Sequence, residues 1–212
     1  MNLVIVKYNA GNIQSVRYAL ERIGVSATVT DDHHAIRNAD KVIFPGVGEA
    51  SSAMRYLKER GLDEVLKELR QPVLGICLGM QLMCAYSEEN DTECLGIFEE
   101  TVNKFKLSSI KENSENTFEF KIPQMGWNQI YDLKSSLFSG IPSNSFCYFV
   151  HGYYAALGAH TIATTDYIHP YSAALQKNNF YGVQFHPEKS ATVGEQIIRN
   201  FLDETLIPTL KK

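Results

Sequence analysis

The chain has 212 residues, 44% of them hydrophobic and 21% charged, a balance that suits a globular protein and excludes a disordered one. Its net charge of −4 comes without a basic cluster, which leaves no electrostatic footprint for nucleic acid. No apolar run approaches membrane-spanning length, and residues 1–7 lack the basic start and cleavage site of a signal peptide, so the expectation is a cytoplasmic protein with no membrane attachment.

Cysteines at 77, 84, 94 and 147 form no Cys-x-x-Cys pair and no zinc-type spacing, so free thiols are expected, with no metal site and no cofactor. Cys84 reads as a core residue. In chain order, Leu3–Val6 is a strand, and Ile13, Val16, Leu20 and Ile23 make a helical stripe closed by Gly24. Strands follow near 27–29 and 41–44, the latter running into Pro45-Gly46-Val47-Gly48. Helical patterns cover 50–60 and 62–69, broken at Gly61, and a strand over 73–76 leads to Gly75-Ile76-Cys77-Leu78-Gly79. Strands alternating with helices predict an α/β domain with a parallel, doubly wound sheet, whose ligand site lies at the carboxyl ends of the strands. Both the Pro45 loop and Cys77 fall at such ends.

From 95 to 176 the pattern changes to short strands, at 97–107, 128–133, 146–150, 161–164 and 172–176. The polar stretch 111–119 reads as a surface hairpin tip or mobile loop. Residues 181–185 return to the main sheet, and Val193, Ile197, Ile198, Phe201 and Leu202 form a closing helix stopped before Pro208. Neither repeat nor linker interrupts the chain, so residues 1–212 are read as a single domain.

The most informative features are the glycine-flanked cysteine and the distant Phe185-His186-Pro187-Glu188. A cysteine between glycines, after an apolar run and before a helix-like stretch, reads as a nucleophile elbow that presents one strained, exposed side chain. The following helix aims its N–H groups and positive end at the sulfur, which favours thiolate. On an extended segment, His186 and Glu188 share a face, so the histidine takes the cysteine proton while the glutamate orients the imidazole. An isolated cysteine is most often inert core and an isolated His-Pro-Glu most often a turn, but glycines on both sides weaken a strand and a helix start for no packing gain. The pair therefore reads as a hydrolytic Cys-His-Glu site.

On these residues the chain resembles the class I glutamine amidotransferases and, within them, is similar to the glutaminase subunits of imidazole glycerol phosphate synthases. The resemblance is carried by Asn9-Ala10-Gly11-Asn12, Pro45-Gly46-Val47-Gly48, the elbow through Gln81, Pro123-Gln124-Met125-Gly126-Trp127-Asn128, Tyr148-Phe149-Val150-His151 and the stretch 182–190, in the family's order. It implies a flavodoxin-like domain with a mostly parallel central sheet, helices on both faces and a small antiparallel extension. It implies L-glutamine as substrate and ammonia delivered within a heterodimer to a (β/α)8-barrel cyclase or synthase of histidine biosynthesis. It assigns the triad to Cys77, His186 and Glu188, and the oxyanion hole to Leu78 with Val47 and Gly48. Substrate binding falls to Gln81, Glu89, His151, Gly152 and Tyr153, and the partner interface to Asn12, Trp127 and Lys189. Asn12 and Trp127 are placed in glycine-containing turns. His151 is read equally as a packed, hydrogen-bonded histidine.

Gly152 stands where the family has serine or threonine, and Lys7 and Asn9 where it reads aspartate and glycine. Three alternatives stay open: a paralogous glutaminase serving an amidating enzyme of surface-sugar synthesis, a stand-alone cysteine hydrolase, and a regulatory subunit with a degenerate site.

Overall fold

The computed structural model describes residues 1–9, 11–107 and 120–203; the polar stretch 111–119 and Pro208 lie outside them. The first half runs β1 (Leu3–Val6), α1 (Ile13–Arg22), β2 (Thr28–Thr30), α2 (His33–Arg37), β3 (Lys41–Gly46), α3 (Ala50–Glu59), α4 (Leu62–Glu68), β4 (Val73–Cys77) and α5 (Leu78–Met83). The second half is strand-rich: β5 (Tyr86–Ser87), β6 (Thr92–Glu93), β7 (Thr101–Lys104), β8 (Gln124–Ile130), β9 (Ser145–His151), β10 (Tyr153–Ala155), β11 (Thr161–Tyr167), β12 (His169–Lys177) and β13 (Phe180–Val183). The helix α6 (Ala191–Leu202) follows.

The main sheet has seven strands in the order β11-β12-β13-β4-β3-β1-β2. From β13 to β2 all pairings are parallel, while β11 and β12 add an antiparallel edge. Alternate side chains of each central strand enter different cores. Leu3, Ile5, Ile43, Leu74 and Ile76 pack with α1 and α6, whereas Val4, Val6, Val42 and Phe44 pack with α3 and α4. A sheet buried on both faces needs apolar residues at nearly every position, which is why β1 reads Leu-Val-Ile-Val. The end of α6 is tied to β3 by buried Lys41, whose Nζ donates to the carbonyl oxygens of Phe201 at 2.8 Å and Asp203 at 2.6 Å. A four-stranded sheet, β10-β7-β5-β6, and the antiparallel ribbon β8–β9 complete the described fold.

Three elements differ from the sequence expectation. The helix α2 has five residues, too few to show a period, and rests on Asp32 accepting from the Ala35 N–H at 2.7 Å. The strand expected over 97–107 shrinks to β7. Upstream of it, the N–H groups of Leu95, Gly96 and Phe98 bond the carbonyls of Leu82, Cys84 and Met83 at 2.8–2.9 Å, satisfying the open C-terminal end of α5. The ribbon strand β8 starts at Gln124, so Trp127 sits mid-strand opposite Tyr148 rather than in a turn.

Candidate active site

Cys77 ends β4, paired with Gly46 at the end of β3, and leads directly into α5. Its φ of 53° and ψ of −110° lie outside the ordinary regions for a residue with a β-carbon, a conformation that costs about 1–3 kcal/mol and persists only where surrounding structure enforces it. The enforcement is close backbone packing. A β-carbon on Gly79 would run into the carbonyl oxygen of Phe44, and one on Gly46 would run into the Tyr8 hydroxyl. The elbow side chain is less open than expected: Cys77 is 6% exposed. Its sulfur reaches only a pocket.

The histidine and glutamate do not share an extended segment. His186 is extended (φ −99°, ψ 95°), but residues 187–189 form a single 3-10 turn, which curls Glu188 back so that its Oε1 accepts from His186 Nδ1 at 2.7 Å. That bond assigns the Nδ1–H tautomer to a neutral ring and leaves Nε2 free. Among the described residues, Nε2 is buried without a formed hydrogen bond, and the second carboxylate oxygen of Glu188 likewise has no partner. The Cys77 thiol also lies 3.9 Å from the Val150 carbonyl oxygen, a weak sulfur contact. Burial alone would lower the His186 pKa, but interaction with the Cys77 sulfur and with Glu188 outweighs it and raises the value above the usual imidazole range.

The turn is held from behind. Buried Ser190 accepts from the Tyr148 N–H at 2.9 Å and donates to the His186 carbonyl at 2.7 Å, while the His186 N–H donates to the Tyr148 carbonyl at 2.8 Å. The histidine is thereby registered against β9, whose far end carries His151.

A pocket of about 310 Å³ opens over the sulfur, at the small end of the roughly 300–1,000 Å³ typical of ligand sites. It is lined by Val47, Gly48, Cys77, Leu78, Gln81, Glu89, Val150, His151, Gly152 and Tyr153. The residues expected at the oxyanion hole and the substrate site thus share one cavity. Glu89 Oε2 accepts from the Ala50 N–H at 2.7 Å, at the base of the loop that follows Gly48, and burial raises its pKa. Both nitrogens of His151 are engaged, Nδ1 with the Tyr153 carbonyl at 2.7 Å and Nε2 with the Tyr171 hydroxyl at 3.1 Å. Burial pushes its pKa down to about 3, so the ring is neutral and serves as a packed, hydrogen-bonded wall. A β-carbon on Gly152 would meet only Ile122 Cγ2 at 3.9 Å, so the missing hydroxyl leaves open space.

Outside the pocket, Trp127 is 53% exposed and packs edge-on against Tyr148 at 6.0 Å between ring centroids, and exposed Lys189 lies over the same ring at 5.9 Å. Met125 and Phe146 are exposed on the same ribbon. Asn12 precedes α1 and accepts from Ser15 Oγ at 2.8 Å, and Gly11 before it lies beside the Pro45 carbonyl. Gln184 and Ser190 were not singled out from sequence. Gln184 is fully buried, donates to Cys77 Sγ at 3.7 Å and accepts from Gln81 Nε2 at 2.9 Å. Its only signal was its place two residues before His186. Among the described residues, no cluster of His, Cys, Asp and Glu is arranged to hold a metal, and no helix is long and apolar enough to cross a membrane.

Residues 4–205 match the family model for class-I glutamine amidotransferases. The imidazole glycerol phosphate synthase subunit HisH of Bacteroides fragilis is 57% identical over 203 residues, covering 96% of this chain and 100% of its own. The same subunit of Idiomarina loihiensis is 43% identical over 206 residues, covering 97% and 100%. Among solved structures, a glutamine amidotransferase superposes with a TM-score of 0.68 at 17% identity, over 98% of this chain and 99% of the other. PurLQS from Thermotoga maritima superposes with a TM-score of 0.65 at 16% identity, over 95% and 97%. These two likenesses speak to the fold alone. With the family model spanning nearly its whole length and HisH subunits as close relatives, the chain belongs to the class-I glutamine amidotransferases, and within them to the HisH family.

Proposed function

We propose that the chain hydrolyses L-glutamine to glutamate and ammonia through a thioester on Cys77, as the glutaminase subunit of a cytoplasmic imidazole glycerol phosphate synthase in histidine biosynthesis. The observation that carries the reading is the convergence of Cys77 and the loop after Gly46 on one pocket, with the hydrogen-bonded His186–Glu188 pair interacting with the Cys77 sulfur from behind it. Residues 1–212 are taken as one amidotransferase domain, working in a heterodimer with a (β/α)8-barrel cyclase.

In this reading the Cys77 thiolate attacks the side-chain amide carbon of glutamine, forming a C–S bond and a tetrahedral oxyanion. The N–H of Leu78, first residue of α5, donates to that oxygen, joined by an N–H from the Val47-Gly48 peptides. Collapse breaks the C–N bond as His186 Nε2–H protonates the departing ammonia. Water then attacks the thioester, giving its proton back to Nε2, and a second oxyanion collapses to glutamate and free Cys77. Glu188 orients the imidazole and stabilises its cationic form. Glu89 would pair with the substrate ammonium, Gln81 would bind the substrate as a hydrogen-bond partner, and the backbone of His151, Gly152 and Tyr153 would hold its carboxylate. The aromatic and cationic rim of Trp127, Tyr148 and Lys189 would face the barrel, with Asn12 beside the oxyanion loop.

The test is ammonia release from glutamine by the purified chain, with and without its barrel partner. Turnover that is weak alone, rises with the liganded partner and vanishes in Cys77→Ala supports the reading. A Cys77→Ala complex that also fails with free ammonium, though correctly assembled, would assign the cysteine a structural role instead.

A further inference from the structure

A chain of buried amides runs behind the nucleophile, and its polarity is set by a group that has only one possible role. The Tyr153 carbonyl can only accept, and it takes one Gln81 Nε2 hydrogen at 2.8 Å. The amide nitrogen of Gln81 is therefore on that side. Its second hydrogen goes to Gln184 Oε1 at 2.9 Å. That in turn fixes which end of the Gln184 amide is oxygen, and places Nε2 toward Cys77 Sγ at 3.7 Å, a distance suited to an N–H donor on sulfur. Gln184 is 0% exposed and its backbone N–H is bonded to the Ala173 carbonyl at 2.8 Å, so the side chain has little freedom to rearrange. With both Nε2 hydrogens of Gln81 committed inward, its one uncommitted polar atom is Oε1, and Gln81 lines the pocket.

We propose that Gln184 is a positioning residue: its single amide donates to the Cys77 sulfur and locks Gln81 so that only a hydrogen-bond acceptor faces the substrate. The arrangement rests on the glutamine-hydrolysis reading for the identity of the substrate, and deepens it by naming the selection rule. An acceptor-only Gln81 favours a group with N–H hydrogens, such as a carboxamide or an ammonium, and repels a carboxylate. Glutamate, the product, differs from glutamine at that end of the side chain. Where Gln81 Oε1 meets the carboxamide end, the lock favours substrate over product; where it meets the α-ammonium, which both carry, it binds the two alike.

The experiment uses the full chain and two readouts. The first is the rate of Cys77 alkylation by iodoacetamide, followed on the Cys77 peptide by mass spectrometry, which needs no turnover. The second is the split between KM and kcat for glutamine in the partner complex. Gln184→Met keeps the volume and removes both hydrogen bonds. It is expected to slow alkylation near neutral pH by about tenfold, the loss of roughly one donor to an anion, and to raise KM together with lowering kcat. Gln184→Glu, in its protonated form, restores a donor toward sulfur and an acceptor toward Gln81. It should approach wild-type alkylation at acid pH and fall below it as the carboxyl ionises, a pH profile that a merely structural residue would not produce. Unchanged alkylation and KM in Gln184→Met, or a Gln184→Glu profile parallel to wild type, would overturn the assignment. A wild-type complex that alkylates normally but releases no ammonia from glutamine would sink the substrate reading alone, while the alkylation series still judges Gln184.

Discussion

The nucleophile elbow and the β8–β9 ribbon make opposite use of their surroundings. Residues 72–84 are buried without exception, and the strand-to-helix turn is held by backbone contacts too close for a β-carbon at Gly79. In β8 burial alternates, and Met125 and Trp127 stand at 66% and 53% exposure with Phe146 beside them on β9. Exposed large apolar side chains gathered on one ribbon suit the partner contact proposed for this face. In the proposed function, chemistry is placed where the chain cannot shift, and partner recognition where apolar area is left uncovered. The two meet at Tyr148, whose backbone holds the His186 turn while its ring supports Trp127 and Lys189.

The contrast predicts that changes on the buried side alter rate or stability, and changes on the ribbon alter association. The largest effect belongs to His186→Ala, expected to lower glutamine turnover by roughly 10²–10⁴, about 3–5 kcal/mol of barrier. Glu188→Gln should cost less, because it disturbs orientation and not proton transfer. Steady-state kinetics at equal folded fraction check the order, and a glutamate variant as damaging as the histidine variant would reverse the assigned roles.

Next comes His151 and acid. An unfolded-state histidine takes up a proton near pH 6.5, but the buried ring resists until about pH 3, so stability falls as pH drops through that window. The slope is about 1.4 kcal/mol per pH unit, or roughly 3 kcal/mol between pH 6.5 and 4.5, where most carboxylates have not yet titrated. His186 acts in another range: its raised value adds stability below pH 6.5 that is lost as pH climbs toward the folded-state value. Denaturant unfolding of His151→Phe against wild type should show the acid slope reduced by about one proton; an equal slope would mean that the ring is protonated in the native state.

Trp127→Ala should leave folding and intrinsic glutaminase activity near wild type and weaken partner binding by about 2 kcal/mol, roughly thirtyfold, as central aromatic anchors do. Calorimetric titration with the barrel partner measures it. Ser190→Ala should cost about 1–3 kcal/mol by removing the acceptor of the part-buried Tyr148 N–H and the donor to the His186 carbonyl, with a loss of turnover that tracks the loosened His186 turn. Gly152→Ser is the smallest: the site has room for a β-carbon, and the variant should gain about 0.4–1 kcal/mol through a less mobile unfolded chain. A thermal melt shifted downward would show that the position needs glycine.

What the sequence disclosed follows the same division. The elbow, the Pro45 loop and the His-x-Glu pair were legible because each is a local backbone problem solved with glycine, proline and fixed spacing. The two faces of the main sheet were legible because continuous apolar strands leave no other arrangement. Gln184 and Ser190 were not, since their roles exist only through partners 107 and 42 residues away. The expected turn at Trp127 became a strand for a related reason: Gly126 and Asn128 suit a turn locally, but pairing with β9 along seven residues overrides that preference. The shape of the His186 segment was misread because extended backbone and a single 3-10 turn can both bring His186 and Glu188 together.

The position of β4 in the sheet carries a consequence for how the chain becomes active during synthesis. One side of β4 is taken by β3, made just before it, but the other is taken by β13, from near the end of the described chain. Until β13 is made and docked, Val73, Leu74 and Ile76 form an uncovered apolar edge, the kind of template that invites pairing with other chains. The same docking carries His186 and Gln184 to the sulfur. A ribosome-bound fragment ending before residue 180 therefore holds its cysteine on an unfinished sheet, without the base of the proposed mechanism, and the order of strands along the gene delays the reactive thiol until β13 and the His186 segment have been made.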